Sequence, residues 1–448
     1  MRSGITRQAL RRHRWTLVGP ACTQLLGAAV IAVMVMTAAS LSAPGLSAAD
    51  RRSVRAGGMT DTTAVFLGDS IYLSVLVVAV TMNLAVSRQL RDIALLRSIG
   101  ATPGQLRRSV VLQAVVVSLP ASLLGIALAV PLGAGWVALL RAHDALPDGV
   151  RSTPALVVLP IVVGIQLGTS VIGAAVAGRR TTRSAPAIAL SETSGDRRHI
   201  GPVRAALGLL LVGGGIAGSA VVSTLAPDQA DAAALFVLLA ECIGIGLLGP
   251  VVLRAAAAVL RPLLPGGLPR LALDDVAAMS RPLAGTLVPL VLAMAFAGVK
   301  IAARTTSAAV TGSAGPPAEV WTDWSGTAVF CAFAGVAALN ALVTVLVSRG
   351  RDLAVLQLVG GTRRRLLLMV SGEAALVATT AVLLAGLAAG ATLLPMLHTS
   401  LGTWLPRVPA PALAAGLVLA FGLVAAGTVL PAAVLTRRPA LERSVGAG

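Results

Sequence analysis

Residues Arg91 to Arg108 read RDIALLRSIGATPGQLRR, and residues Arg351 to Leu366 read RDLAVLQLVGGTRRRL. Each stretch lies between two long apolar segments. With an offset of 260, Arg91-Asp92 falls on Arg351-Asp352, Ala94 on Ala354, Leu96 on Leu356, Gly100 on Gly360 and Thr102 on Thr362. Beyond them Leu106 falls on Leu366 and Gln113-Ala114 on Glu373-Ala374. The lead-in recurs one residue out of step, Val86-Ser87-Arg88 against Val347-Ser348-Arg349. Ile93, Leu96 and Ile99 fall close to one face of a helix. Gly100 suits the left-handed position that ends it. Thr102 can cap a following helix, with Pro103 at its first position and Gln105 closing a Thr-x-x-Gln capping box. The second copy keeps Gly360 and Thr362 but has Arg363 and Arg365 in place of Pro103 and Gln105, so its cap should be weaker. Each insert therefore predicts a short helix, a sharp turn and a capped helix entering a membrane: a stiff elbow with one apolar face.

The membrane follows from composition. Of 448 residues, 56% are hydrophobic and 12% charged, with mean hydropathy +0.87; a soluble chain carries about twice that share of charge. Ten segments, near 16–40, 64–86, 110–140, 154–178, 204–225, 231–260, 284–303, 325–347, 366–397 and 410–435, are long enough to cross a hydrocarbon core of about 30 Å. Alternating segments of about 10 residues, the mark of a β-barrel, do not occur. The fold class is all-α polytopic membrane protein with about ten transmembrane helices. The first span has basic residues before it and small ones after it, as a signal peptide does. Its apolar run of about 25 residues exceeds a signal h-region of about 7–15, and an uncleaved helix is expected.

The formal net charge is +18, from 36 Lys+Arg against 18 Asp+Glu. In a membrane chain this excess sets topology and does not call for nucleic acid. With the N-terminus in the cytoplasm, 28 of the 36 cations fall on inside segments. Both termini and both elbows are then cytoplasmic, in a multi-pass protein of the plasma membrane. The dominance of arginine, with abundant Ala, Gly, Val and Leu, fits a GC-rich bacterial genome. The longest outside stretches, 41–63 and 304–324, are rich in small and polar residues, and no folded domain is expected there.

Each half has a basic lead-in, Thr6–Trp15 or Arg270–Pro282, then four spans with the elbow between the second and third. Both elbows face one side, so the halves are parallel repeats. The expected division is 1–180 for the first four-helix repeat, 181–264 for a basic linker and two connecting helices, and 265–448 for the second repeat.

Little else carries chemistry. Cys22, Cys242 and Cys331 lie far apart, and His13, His143, His199 and His398 are scattered, so no metal or redox spacing arises. The one lysine, Lys300, sits in AGVKIA, which excludes a Walker A motif. The chain is expected to hold no cofactor of its own and to be no enzyme. Two acids lie inside spans, Glu241 in LLAECIGI and Asp69 in FLGDSIYL. A charge there costs roughly 2.5–3.5 kcal/mol on insertion scales. Each either lines a translocation path or is a paired structural carboxylate. Glycines at 213–215, 244 and 246 point to close helix packing.

RDIALLRSIGATPGQLRR with the later LQA resembles the signature of FtsX-like permeases, the membrane subunits of MacB/LolCDE/BceAB-type ABC transporters. RDLAVLQLVGGTRRRL with GEA resembles a second copy, and RLALDDVAAMSRPLAGT resembles the lead-in helix of such a repeat. The resemblance covers both four-helix halves. It implies that the elbows dock on an ABC ATPase subunit, which binds the ATP and Mg. The coupling residues would be Arg91, Asp92, Leu96, Ile99, Gly100 and Thr102, and Arg351, Asp352, Leu356, Val359, Gly360 and Thr362. Two elbows imply two ATPase copies per chain. Two departures stand out. Relatives usually carry a large extracytoplasmic domain where this chain has short loops, and Gln113 stands where an acidic residue is common. The implied function is export of an amphiphilic compound such as a peptide, lipid or antibiotic. The alternatives are ATP-driven signalling, for drug sensing or cell-wall enzyme control, and secondary transport.

Overall fold

The computed structural model describes residues 14–87, 100–153, 158–183, 201–225, 227–264 and 266–437. These residues form thirteen helices and no strand. They are α1 (Arg14–Leu41), α2 (Ala48–Ala56), α3 (Met59–Ser87), α4 (Pro103–Ala142), α5 (Val158–Arg183), α6 (Pro202–Val222), α7 (Pro227–Leu260), α8 (Gly267–Ala278), α9 (Ser280–Thr311), α10 (Pro317–Ser348), α11 (Gly350–Leu358), α12 (Arg363–Leu401) and α13 (Ala410–Leu435). All but α2, α8 and α11 are long and apolar enough to cross a membrane, and these ten coincide with the ten spans expected from hydropathy.

The chain separates into two compact units, one of residues 1–194 with 315–333, the other of 195–314 with 334–448. In the first, α1 packs chiefly on α4 and α3, and α5 on α4 and α3. The approach of α1 to α4 depends on Gly125, where a methyl group would fall 2.4 Å from the carbonyl oxygen of Leu25. In the second unit α12 packs on α9, α7 and α13, while α6 and α7 form a tight pair. Gly208 and Gly215 on α6 and Gly244 on α7 leave no room for a methyl on the facing helix. Small residues at such contacts let backbones approach without water to drive them together. Pro250 in α7 has no N–H for the carbonyl of Gly246, four residues earlier. Arg204 of α6 answers this loss: its guanidinium donates to the carbonyls of Leu247 (3.0 Å) and Gly246 (3.4 Å).

The repeat is visible in burial. Positions 73, 74, 77, 78, 81, 82, 85 and 86 of α3 are buried, and so are the positions 260 residues later in α10. The buried positions 106, 110, 113, 114, 118, 121 and 125 of α4 recur in the same way in α12. The one-residue slip in the lead-in is thus confined to the last turn of α10. At an offset of 260, Arg349 falls on Gln89, and residues 88 and 89 lie outside the described residues.

The stretch 41–63 departs from the expectation of a loop. Ser47 accepts a hydrogen bond from the Asp50 backbone N–H and caps α2, and α3 starts at Met59. Leu46, Val54 and Met59 are buried against Val137, Leu140, Leu146 and Val150 from the end of α4 and the segment after it. This is a small packed cap and not a separate domain. It escapes a local reading because α2 buries only Val54, and its apolar partners lie about 90 residues away. The stretch 304–324 is mostly helical, since α9 runs to Thr311 and α10 begins at Pro317. Beside this cap His143 stacks on Trp321 at 4.0 Å, and in the last turn of α12 His398 stacks on Trp404 at 4.2 Å.

Candidate functional site at the elbows

The backbone of the second elbow is described throughout. One residue, Arg349, separates α10 from α11. After α11 the Gly360 N–H donates to the carbonyl of Gln357, and the Gly361 N–H to that of Leu356. This is the Schellman arrangement, which needs a left-handed residue at its centre. Gly360 supplies it at φ +102°. At Gly361 a methyl group would fall 2.6 Å from the Leu356 carbonyl oxygen, so the turn requires two glycines. Thr362 then caps α12, accepting from the Arg365 N–H at 3.4 Å. Arg365 returns no bond, as the sequence predicts. A brace replaces it: Arg363 donates to the Ala433 carbonyl (3.4 Å) and Gln357 to the Thr436 carbonyl (3.5 Å), both at the end of α13. Cationic and amide groups there satisfy carbonyls that have no partner within the helix.

One side of α11 is anchored. Leu353 is buried with Leu346, Leu366, Val370 and, from α8, Ala272, and the next residue, Ala354, is buried too. The other side is apolar and exposed: Val355, Leu356, Leu358 and Val359 show 47%, 43%, 53% and 83% of their surface. Asp352, exposed in the first turn of α11, complements the helix dipole. Of Arg351 the backbone alone is described.

Beneath the elbow lies a buried ionic cluster. The Arg349 guanidinium donates to both carboxylate oxygens of Glu373 on α12, at 2.5 and 3.2 Å, and pairs with Asp275 on α8. Arg349 and Glu373 are buried, and Asp275 is partly exposed. The arginine joins the lead-in helix, the start of the elbow and a membrane helix. A planar, permanently charged fork suits this bidentate task better than lysine would. Sequence reasoning did not select Arg349 or Asp275. Two signs of them were present: the acidic pair in LALDDVAA on an otherwise apolar helix, and Glu373 where the first copy has Gln113.

The first elbow is described from Gly100 onward; Arg91, Asp92, Leu96 and Ile99 lie outside the described residues. Gly100 has φ +97°. The capping box is complete: the Gln105 N–H donates to Thr102 Oγ1 (3.4 Å), and the Thr102 N–H to Gln105 Oε1 (3.1 Å). Val86, Leu106, Val110 and Ala174 form the same cluster under this turn that Leu346, Leu366, Val370 and Ala432 form under the other.

The two acids inside spans are not part of the elbows. Glu241 is buried on α7 against Gly215 of α6, and neither carboxyl oxygen has a hydrogen-bond partner among the described residues. Asp69 is buried on α3 and borders a cavity of about 20 Å³ with Ser70, Phe66, Phe330 and Phe333. Among the described residues no group of His, Cys, Asp and Glu could hold a metal ion.

Residues 64–186 and 324–440 each match the model of the family described as FtsX-like permease C-terminal, together more than half of the chain. The second match begins 260 residues after the first, the offset that aligns the two elbows. No curated protein matches the chain.

Proposed function

The chain belongs to the FtsX-like permease family, membrane subunits of ABC transporters that work with ATPase partners, and on that premise we propose that it couples ATP hydrolysis by a separate ATPase to export of an amphiphilic compound. It is a multi-pass membrane protein, read here as lying in the plasma membrane with both termini and both elbows in the cytoplasm. Its repeats are read as 1–180 and 265–448, joined by 181–264. The observation that carries this reading is the exposed apolar edge of α11, held rigid by a buried opposite face. A short helix with such an edge fits a groove on a partner. Motion of the ATPase then reaches α12 through the Thr362 turn, and α8 through Arg349 and Asp275.

The test is co-purification of the ATPase by a tag on this chain. Leu356→Asp puts a charge into the docking edge and should weaken that site about 100-fold, since burying an unpaired charge costs a few kcal/mol. Leu263→Asp, exposed between α7 and α8 and outside the spans, should leave recovery unchanged. Full ATPase recovery with Leu356→Asp would assign the edge to the lipid interface instead.

A further inference from the structure

The two repeats share a framework but differ in what fills it. Along the buried stripe of α3 lie Ser70, Ser74 and Thr81; 260 residues later the buried positions hold Phe330, Ala334 and Ala341. Ser118 on α4 is matched by Ala378 on α12. On the last helix of each repeat, eight residues before Ala174 or Ala432 of the matching clusters, stand Gln166 and Val424. At these positions the first repeat is polar where the second holds phenylalanine, alanine and valine.

Part of this polarity serves to join helices. Gln166 donates to Ser74 Oγ at 2.8 Å, Ser170 to Ser118 at 3.4 Å, and Thr23 meets Thr81 at 3.4 Å. Bonds of this kind hold helices together only weakly in a membrane protein, because the separated helices find other partners. Joining helices does not explain the rest. The whole Gln24 amide, Gln166 Oε1 and Ser122 Oγ have no hydrogen-bond partner among the described residues, and all three side chains are buried. Gly27, one turn along α1 from Gln24, lets Ser74 and Gln166 lie directly against that helix: a methyl there would fall 2.3 Å from Ser74 Oγ and 2.9 Å from Gln166 Nε2. Gly27 and Gln166 both lie close to the middle of their spans. The cavity beside Asp69 and Ser70, of about 20 Å³, is bordered by Phe333, whose ring also approaches Gly27. A space of that size holds about one water.

We propose that the interior of the first repeat is a midplane binding site for an uncharged amide or hydroxyl group of an amphiphilic ligand, held by Gln24, Ser74 and Gln166. Glutamine offers a donor and an acceptor together, the complement of an amide. No ionised side chain belongs to this trio, so an uncharged group matches it better than an ion. At the matching described positions the second repeat holds Ala334, Ala341, Ala378 and Val424, which offer no donor or acceptor side chain. The proposal rests on the permease reading and gives its ligand a chemistry.

The test uses the full chain in phospholipid vesicles, with Cys22, Cys242 and Cys331 replaced by alanine. Single cysteines at Ser74 and at its counterpart Ala334 are reacted with methyl methanethiosulfonate; the thiolate attacks the reagent's sulfenyl sulfur, forming a methyl disulfide and releasing methanesulfinate, so the rate reports where water reaches. Ser74→Cys should react about tenfold faster than Ala334→Cys, since apolar burial suppresses thiolate. Decanamide should slow the reaction at Ser74→Cys severalfold, whereas decane should not. Thr81→Cys against Ala341→Cys, and Ser118→Cys against Ala378→Cys, repeat the comparison if a variant fails to fold. Equal rates in the two repeats, or protection by decane as strong as by decanamide, would overturn the proposal. No ATPase is present in this assay. Its failure leaves the co-purification result standing, and loss of the Leu356 effect on co-purification leaves the labelling result standing.

Discussion

Arg349 sets the energetic scale at single residues. A buried ion pair is weak support for stability as a whole, because desolvation offsets most of the attraction; removing one partner is costly, because the other is left charged and buried. Glu373→Ala should therefore destabilise the chain by about 3–5 kcal/mol, read as a lowered thermal midpoint in detergent. Asp275→Asn should cost much less, since Asp275 is partly exposed and Arg349 keeps Glu373. An Arg349→Met, Glu373→Met double variant should recover most of the loss, as apolar replacement of both partners removes the unmatched charge. Its thermal midpoint approaching that of the parent, with weakened stimulation of the partner ATPase, would separate stability from coupling. A double variant as unstable as Glu373→Ala would show that packing and not charge is at stake. In the first repeat the neutral Gln113 occupies the place of Glu373, so Gln113→Ala should cost well under half as much.

At the level of elements, the elbow is a turn that two glycines permit. Gly360→Ala forces a side chain into the left-handed region and should cost about 1 kcal/mol. Gly361→Ala should cost more, since its methyl meets the Leu356 carbonyl oxygen at 2.6 Å. Faster amide hydrogen exchange across 350–362 in Gly361→Ala than in Gly360→Ala is the expected order; the reverse order would contradict the turn geometry. The first elbow has Ala101 at this position and a complete capping box, so its rigidity comes from the start of α4, whereas that of the second comes from the turn and from the bond of Arg363 at the start of α12 to the Ala433 carbonyl of α13. Much of this was legible in sequence: hydropathy located all ten spans, and Gly-x-Thr located both turns, because helix ends are governed by local chemistry. The brace from Arg363 and the α2 cap were not legible. They depend on contacts between residues about 70 and 90 positions apart, and no local periodicity records such partners. The ionic cluster lay between these cases: its charges could be seen on apolar helices, but the meeting of α8, α10 and α12 could not.

Across the whole chain the duplication bears on how many ATPases one permease would engage. ATP-driven closure in this reading brings two ATPases together, and a permease with a single elbow would supply two docking sites only by dimerising. This chain carries two elbows over matching clusters, at Val86, Leu106 and Val110 and at Leu346, Leu366 and Val370. One copy should therefore assemble with two ATPases. Native mass spectrometry of the complex, purified by a tag on this chain, should give one permease and two ATPases. Leu96→Asp or Leu356→Asp should each shift the population toward a single ATPase, because one docking edge then carries a desolvated charge worth a few kcal/mol and about 100-fold in affinity. With both changes the permease should appear without ATPase. The elbows are braced differently, so the two single variants need not be equal, and the size of the inequality measures how much each brace contributes. Two permeases with two ATPases as the dominant mass would mean that only one elbow of each chain docks. Retention of two ATPases by the double variant would move the docking surface off the elbows altogether.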